Sequence, residues 1–461
     1  MKRIAFLSFD WDYRIVPEYY LGLQECVKSF PDVQIVVFNA FGRYYASHVP
    51  RQDSLEVFML CDVDSYDGFI VQGNRTWPPE LRQQFVDAAV QHNKPVVSIN
   101  YELVGAHAVG TNNYQEEYEL VCRVLQDCGC RRPVFVNGLK TSVEAQDRVQ
   151  AFKDACAKFG VHDAKVYQAN WQMSAGVVTA KKMLRRPNDL PDAIFCCNDD
   201  FAVGVQETLR DGGVRIPDDV VITGFDNRQI CQFTSPHITT VDRDYQTIGA
   251  TALKTLMQLM AGGDVPDKTF SPARLVLRES CGYVSQSAAK GSKALLSHAT
   301  PIERLYDALG EFQSIVLTDD SLYGILENSE IFARKLDCSN VFLSLNDEYL
   351  TSVGTSASCV YGKTSHLVAC KERVRSLPCN DDHMYTAYET KAILPPQVPF
   401  DAPIYTVSSL HRNDACMGLF VTEGVPTDMN CGLNTMFLTV LASAIDAALK
   451  TRLLRSSNGA Q

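Results

Sequence analysis

The sequence predicts an α/β protein with two lobes of parallel sheet, followed by a smaller α+β domain. Within residues 193–249, an apolar run, an amphipathic stretch and a second apolar run alternate as in a βαβ unit. A chain of 461 residues is too long for one hydrophobic core. The pattern also changes after residues 285–297, which are rich in Ser, Ala, Gly and Lys and are typical of a linker.

The βαβ unit places polar residues at the ends of two predicted strands. The strand 193–197 ends at Asn198, and the apolar strand 220–225 leads to Asp226. In open α/β sheets, ligands bind outside the carboxyl ends of the strands. We therefore expect Asn198 and Asp226 to face the same ligand-binding crevice.

Three blocks in this stretch carry a family resemblance. They read N-D-x-x-A-V-G from Asn198, V-R-I-P-D-D-V-V-I-T-G-F-D-N ending at Asn227, and S-P-x-I-T-T-V-x-x-D-Y-x-x-I-G ending at Gly249. In this order and spacing they resemble the effector-binding domain of the LacI/GalR transcription regulators, with a resemblance that extends over residues 2 to about 283. It implies a periplasmic-binding-protein-like (type I) clamp for a small molecule. The alternative is a generic Rossmann-like βαβ unit.

Composition and local motifs exclude several classes of protein. The formal net charge of −11 disfavours a nucleic-acid surface. Asp10 interrupts the first apolar run and no cleavage site follows, so we expect a cytoplasmic protein without a signal peptide. The sixteen cysteines are expected as reduced thiols, and Cys128-Gly129-Cys130 lacks the partners of a metal site. No apolar run is long enough to span a membrane.

The loop after the first predicted strand favours a sugar over a nucleotide cofactor. It contains Asp10, Trp11 and Tyr13 but no glycine, so its backbone cannot approach a pyrophosphate, and we expect no cofactor. Rings and carboxylates suit a sugar or other polyol, although Trp11 and Tyr13 are also compatible with packing at the lobe edge. Asn74 and Asn100 follow two later strands, and Asn100 stands where relatives commonly carry an acid.

In the second lobe, two further residues are assigned to the ligand by resemblance. Arg148 lies in a segment similar to the R-x-x-G-F motif of the family, with Ala151 in place of glycine. The resemblance implies that it donates hydrogen bonds to the ligand, whereas the alternative is a solvated arginine near a helix start. Trp171 stands where many sugar-responsive relatives place a stacking aromatic ring.

The predicted domain boundaries follow from these elements. Residues 1–284 form the ligand-binding domain, with 285–297 as linker and 298–461 as a separate folding unit. The first lobe comprises about 1–105 and 240–270, the second about 106–235, with hinge strands between them. In the last domain we expect helices at 301–314 and 321–336, antiparallel strands at 341–345, 367–374, 404–410 and 416–422, and a helix at 433–454, an order that weakly resembles a GAF-type sensory domain.

The predicted function is a small-molecule sensor and not an enzyme. The resemblance implies a homodimer, and it implies contact with DNA only through a module outside this segment. One alternative is the sensory half of a diguanylate cyclase of the GGDEF type. A less favoured alternative is a hydrolase that uses two of the carboxylates of Asp10, Asp12, Asp199 and Asp226 as acid and base.

Overall fold

The computed structural model describes residues 1–9, 16–40, 56–72, 79–140, 142–162, 164–283, 309–316, 324–325, 328–329, 340–351, 363–369, 387–412, 415–424 and 433–458. The chain divides into two compact units. The first unit contains Met1–Gly110, Tyr245–Thr269 and Thr300–Gln461, and the second contains Thr111–Asp244 and Phe270–Ala299. Among the residues just given, no helix combines the length and apolar character needed to cross a membrane.

Up to residue 260, most strands are followed by a helix; the second, fourth and ninth strands along the chain are instead followed by another strand, with no α-helix described in between. The strands are β1 Lys2–Phe9, β2 Val33–Ala40, β3 Gly68–Gln72, β4 Val96–Ile99, β5 His107–Gly110, β6 Pro133–Asn137, β7 Lys165–Gln168, β8 Ala193–Cys196, β9 Val221–Thr223, β10 Thr240–Asp242, β11 Lys268–Phe270, β12 Arg274–Val276, β13 Val341–Asn346, β14 Thr364–Ala369, β15 Ala387–Glu389, β16 Ile404–Arg412 and β17 Ala415–Glu423. The helices are α1 Val16–Val27, α2 Pro79–Gln91, α3 Asn113–Cys128, α4 Val143–Lys158, α5 Met173–Leu184, α6 Asp199–Asp211, α7 Tyr245–Met260, α8 Asp347–Thr351 and α9 Leu433–Asn458. Short 3-10 turns lie at Glu56–Leu60, Val63–Ser65, Pro187–Asp189, Gln229–Gln232, Glu279–Cys281 and Thr390–Ala392.

The first unit is built on the parallel strands β5-β4-β3-β1-β2. Every residue of β2 is buried, which fits a parallel strand with both faces covered. On one face, Tyr19 and Leu23 of α1 pack with Ile248 and Leu253 of α7. On the other face, Val86 of α2 belongs to the cluster that contains strand residues such as Phe69.

The sheet of the first unit continues into the C-terminal part of the chain. Strand β16 pairs in parallel with β2, and β17, β13, β14 and β15 follow with antiparallel pairing. With β11 beside β5 at the opposite edge, the described residues form one sheet of eleven strands. The buried side chain of Gln34 in β2 donates to the carbonyls of Phe400 at 2.9 Å and Ala402 at 3.0 Å. This differs from the separate folding unit expected for 298–461. The physical reason is that the outer edge of β2 presents unpaired backbone groups, which β16 satisfies.

The C-terminal strands pair in the antiparallel manner that the sequence predicts. Strands β13, β16 and β17 coincide closely with their predicted positions, whereas β14 begins three residues before the predicted 367. The weak resemblance to a GAF-type domain is not confirmed and stays a prediction. The linker 285–297 and most of the two helices predicted within 301–336 lie outside the described residues.

The second unit contains a four-stranded parallel sheet in the order β7-β6-β8-β9. Phe135 of β6, Phe152 of α4 and Phe195 of β8 form its centre, with ring centroids 5.5 and 5.6 Å apart. Strands β10 and β12 form an antiparallel pair in the same unit. This arrangement brings the carboxyl ends of β6, β8 and β9 to one edge of the sheet.

Candidate functional site

Three strands of the second unit end in buried polar residues. Asn137 is the last residue of β6, Asn198 follows β8, and Asp226 follows β9 after Phe225. Their exposed fractions are 5%, 2% and 8%. Together with Glu144, Arg148 and Arg243, whose contacts are given below, Asn137 and Asp226 define what we call the strand-end site.

Arg148 lies in the middle of α4, where other residues of the same unit hold its side chain. It is therefore not a solvated arginine near a helix start. Its Nε donates to Oδ1 of Asn113 at 3.1 Å, and its Nη1 donates to the carbonyl of Cys197 at 2.7 Å. Its guanidinium also lies 4.0 Å from the ring centroid of Phe225, at cation–π distance. Because these contacts come from three directions, the orientation of the guanidinium is fixed before any ligand binds.

A second arginine completes a charged network at the same place. Nη2 of Arg243 donates to Glu144 at 2.8 Å, and its Nη1 lies 3.6 Å from the carboxylate of Asp226. Glu144 also lies 3.6 Å from Arg148. Burial alone raises the pKa of Glu144, but Arg243 and Arg148 outweigh this effect and hold the pKa below its usual value. Two guanidinium groups therefore face two carboxylates.

The backbone at Asp226 adopts a conformation that L residues rarely take. Its φ is 111°, and Asn227 follows with a φ of 50°. The Asp226 amide donates to the carbonyl of Val241 at 2.9 Å, so β10 holds the turn in place. Backbone strain of this kind clusters at ligand sites, where the surrounding structure maintains it.

Asp199 stabilises this turn through hydrogen bonds. Its carboxylate accepts from Oγ1 of Thr240 at 2.6 Å and from the Arg228 amide at 2.5 Å. A β-carbon on Gly224 would lie 2.1 Å from an Asp199 oxygen, so only glycine permits this approach. Burial, followed by the charge of Asp226, raises the pKa of Asp199 to about 7.

Asn198 and Trp171 contact each other next to the strand-end site. The Asn198 side chain accepts from the Phe201 amide at 3.0 Å and so caps α6, and its Nδ2 donates to the Trp171 carbonyl at 3.1 Å. Trp171 lies 5.5 Å from the Arg148 guanidinium. The predicted role of Asn198 as a ligand donor stays a prediction, and the structure shows that its amide caps a helix and positions Trp171.

The predicted residues of the first lobe are only partly described. Asn100 lies in the first unit with a φ of 61°, and its side chain donates to the hydroxyl of Tyr19. The residues Asp10, Trp11, Tyr13 and Asn74 lie outside the described part of the chain. The pocket expected to unite them with Arg148, Trp171, Asn198 and Asp226 therefore stays a prediction.

Sequence reasoning missed Arg243, Glu144, Asn113 and Asn137. Arg243 occupies a variable position of the T-T-V-x-x-D block, directly after β10, so its place at a strand end was a usable signal. Asn137 ends β6 in the way that Asn198 follows β8, and the same argument would have found it. No comparable signal marks Glu144, because its partner Arg243 is 99 positions away.

Two buried groups near the network have no hydrogen-bond partner among the described residues: Oδ1 of Asn137 and both carboxyl oxygens of Glu117. Buried acceptors without a hydrogen-bond partner are uncommon in folded proteins. The Asn137 oxygen is therefore available to a hydrogen-bond donor of a ligand. Within the described ranges, no group of three or more His, Cys, Asp or Glu side chains is arranged to hold a metal ion. The strand-end site thus offers hydrogen bonds and paired charges.

A parallel sheet with polar and charged residues at its strand ends is typical of small-molecule binding domains. Residues 122–281 match the family model described as a periplasmic binding protein-like domain. This match and the relatives below support the LacI/GalR-type effector-binding domain that the sequence blocks predict.

Similar proteins include transcriptional repressors. The HTH-type transcriptional repressor PurR of Vibrio cholerae serotype O1 is 29% identical over 183 residues, which are 39% of this chain and 54% of that protein. The ribose operon repressor of Haemophilus influenzae is 31% identical over 165 residues, or 35% of this chain and 48% of that protein. The probable HTH-type repressor ExuR of Bacillus subtilis is 24% identical over 257 residues, 54% of this chain and 75% of that protein. The chain thus spans about half the length of the first two.

Solved structures show the same fold. A lac repressor dimer bound to operator and the anti-inducer ONPF has a TM-score of 0.51 at 16% identity, covering 60% of this chain and 93% of that chain. A sugar-binding LacI-family regulator from Escherichia coli has a TM-score of 0.50 at 20% identity, with 60% and 97% covered. The alternative of a diguanylate cyclase sensor gains no support from these comparisons.

Proposed function

We propose that this protein is a ligand-sensing regulator of transcription whose effector binds at the strand-end site. The observation that carries the proposal is the buried network of Arg148, Glu144, Arg243 and Asp226 at the carboxyl edge of the second unit's sheet. Buried charges are costly unless function or pairing maintains them. Here they stand beside a strained turn and an unpaired acceptor, Asn137.

The chemistry of the network favours a neutral or mildly anionic polyhydroxylated effector, such as a sugar. Asp226 accepts from hydroxyl groups, Arg148 and Arg243 donate, and Asn137 offers a further acceptor. Trp171 supplies an aromatic face beside Arg148. Because the two positive and two negative charges balance, the network has no excess charge for a multiply charged anion.

The proposed output of the sensor is control of transcription. This rests on the names of the relatives, which are transcriptional repressors. We infer that the protein acts in the cytoplasm as a homodimer, and that it contacts DNA through a module outside the 461 residues. It is proposed to bind its effector without converting it. Incubation with labelled oligosaccharides is expected to leave them intact, and release of product would contradict this part of the proposal.

A thermal-shift screen of sugars, sugar acids, nucleosides and nucleotides tests the ligand class. An effector at 100 times its Kd stabilises the folded protein by about 2.7 kcal/mol, which is readily seen as a higher Tm. The best compound is then titrated by calorimetry into the unmodified protein and into Arg148→Gln. Equal affinity for both proteins would place the effector elsewhere.

A further inference from the structure

Two cysteines of the second unit lie together at the end of α3. Helix α3 ends at Cys128, and Gly129 follows as its cap in the left-handed conformation, with φ 67° and ψ 20°. Glycine adopts this conformation without steric cost, and the resulting turn folds Cys130 back toward the helix end. The titration of each thiol depends on the other, which places the two side chains next to each other.

The turn also suits a covalent bond between these two residues. A tight turn holds Cα atoms two positions apart within about 5.5 Å, given 3.8 Å between neighbours. Disulfides span Cα separations of about 4.4 to 6.8 Å. The Cα separation that this turn gives therefore falls within the range that a disulfide spans.

We propose that Cys128 and Cys130 form a peroxide-sensitive dithiol, with Cys128 as the attacking thiol and Cys130 as the resolving thiol. Cys128 is the more exposed of the two, whereas Cys130 is buried. Cys128 also donates to the carbonyl of Cys281 at 3.4 Å, which orients its sulfur. The sulfur of Cys130 donates to the Asp192 carbonyl at 3.7 Å.

The electrostatics assign the same roles. The adjacent side chain of Cys130 stabilises a Cys128 thiolate and lowers the pKa of Cys128 below the usual value, against the opposing effects of burial and of Asp127. The same contact, together with burial, raises the pKa of Cys130. Asp127 is itself paired with Arg123 at 2.7 Å, which limits its repulsion of a thiolate. The thiolate is the reactive form, so Cys128 is the nucleophile of the pair.

The reaction proceeds in two balanced steps. The Cys128 thiolate attacks one peroxide oxygen, an S–O bond forms, the O–O bond breaks, and the departing hydroxide takes a proton to become water. The Cys130 sulfur then attacks the sulfur of the Cys128 sulfenic acid. An S–S bond forms, the S–O bond breaks, and hydroxide leaves with the Cys130 proton as a second water. Two electrons pass from the sulfurs to the peroxide.

The sequence makes the product easy to detect. Trypsin cleaves after Arg123 and Arg131, so that one peptide, residues 124–131, contains both cysteines and no other. The reduced full-length protein is treated with hydrogen peroxide, quenched with an alkylating agent, digested and analysed by mass spectrometry. We expect peptide 124–131 to appear without alkylation and with the loss of two hydrogens.

Variants separate the two roles. Cys130→Ser is expected to leave Cys128 as a sulfenic acid that dimedone traps, and Cys128→Ser is expected to slow oxidation of the peptide by at least about tenfold. Cys122→Ser is the matched control, since Cys122 lies six positions earlier on α3, is also partly exposed, and falls in a different tryptic peptide. It is expected to leave the oxidation of 124–131 unchanged.

Two outcomes would overturn the inference. One is full alkylation of both cysteines after exposure to peroxide that oxidises Cys122. The other is a disulfide that joins Cys128 to Cys281, which would appear as a cross-link between two tryptic peptides. If Cys128→Ser does not fold, the Cys130→Ser trapping experiment still tests the attacking role.

Discussion

Arg243 donates to the carboxylate of Glu144 over 2.8 Å, although 99 positions of the chain separate the two residues. The guanidinium is 5% exposed and also lies 3.6 Å from Asp226. A charge buried in this way is tolerated only while its partners remain, because removal of one partner leaves the others without compensation.

Replacement of Arg243 by methionine is therefore expected to destabilise the protein by about 3 to 5 kcal/mol. Urea unfolding followed by circular dichroism measures the change. The matched control is Arg274→Met, which removes an arginine that pairs with Asp242 at 2.8 Å but whose side chain is 77% exposed. The control should change stability little. Equal effects of the two substitutions would show that the Arg243 network contributes no more than a surface pair.

Asp226→Asn is expected to weaken binding of the best effector from the screen. The loss of a charged hydrogen bond costs about 1.5 to 3 kcal/mol, or roughly one to two decades in Kd. Asparagine tolerates the positive φ of 111°, so the backbone turn should persist. Asp219→Asn is the control, because Asp219 pairs with Arg215 at 2.6 Å on the surface. An unchanged Kd for the folded Asp226→Asn protein would refute the proposed site.

Substitutions at Asn198 separate helix capping from contact with Trp171. Asn198→Ala removes the cap of α6 and is expected to lower the free energy of unfolding by about 1 kcal/mol. Asn198→Ser retains a capping oxygen but loses the Nδ2 donor to the Trp171 carbonyl. We expect Asn198→Ser to restore most of the stability. If both variants lose stability equally, the contact with Trp171 matters more than the cap.

The buried acid Glu117 should make stability depend on pH. Burial raises its pKa to about 8, against the opposing charge of Arg148. Between pH 5 and pH 8 the folded protein keeps this proton while the unfolded chain has lost it, so stability is highest at low pH and falls as the pH rises. This group contributes up to about 1.4 kcal/mol per pH unit. Glu117→Gln should remove that slope, and parallel stability curves for the two proteins from pH 5 to pH 8 would exclude the effect.

The joined sheet predicts the behaviour of a truncated chain. A fragment of residues 1–284 would expose the outer edge of β2 and leave Gln34 without its carbonyl partners, Phe400 and Ala402. We expect this fragment to melt at a lower temperature than the full chain and to aggregate through the open edge. Circular dichroism and light scattering measure both properties. A fragment that melts with the full chain and stays monodisperse would support separate folding units instead.

The sequence predicts local elements better than distant partners. The position of Asn198 and Asp226 after two strands can be predicted, because a polar residue that follows an apolar strand is recognisable within a few positions. Glu144 and Arg243 were not predicted as partners, because no local sequence pattern links two residues that only the fold brings together. The pairing of β2 with β16 could not be predicted for the same reason. A strand such as β2, buried along its whole length, has the same apolar pattern whether it lies at an edge or in the centre of a sheet.

The unusual backbone at Asp226 also limits how ligand preference can be altered, whether by evolution or in the laboratory. At a φ of 111°, a side chain branched at the β-carbon is strained, so a library at this position is confined in practice to Asp, Asn and Gly. Asn137 lies at an ordinary strand end and carries no such restriction, and its Oδ1 has no partner among the described residues. Diversity introduced at Asn137, with Asp226 and its partner Arg243 kept constant, is the productive route to a sensor with a new specificity.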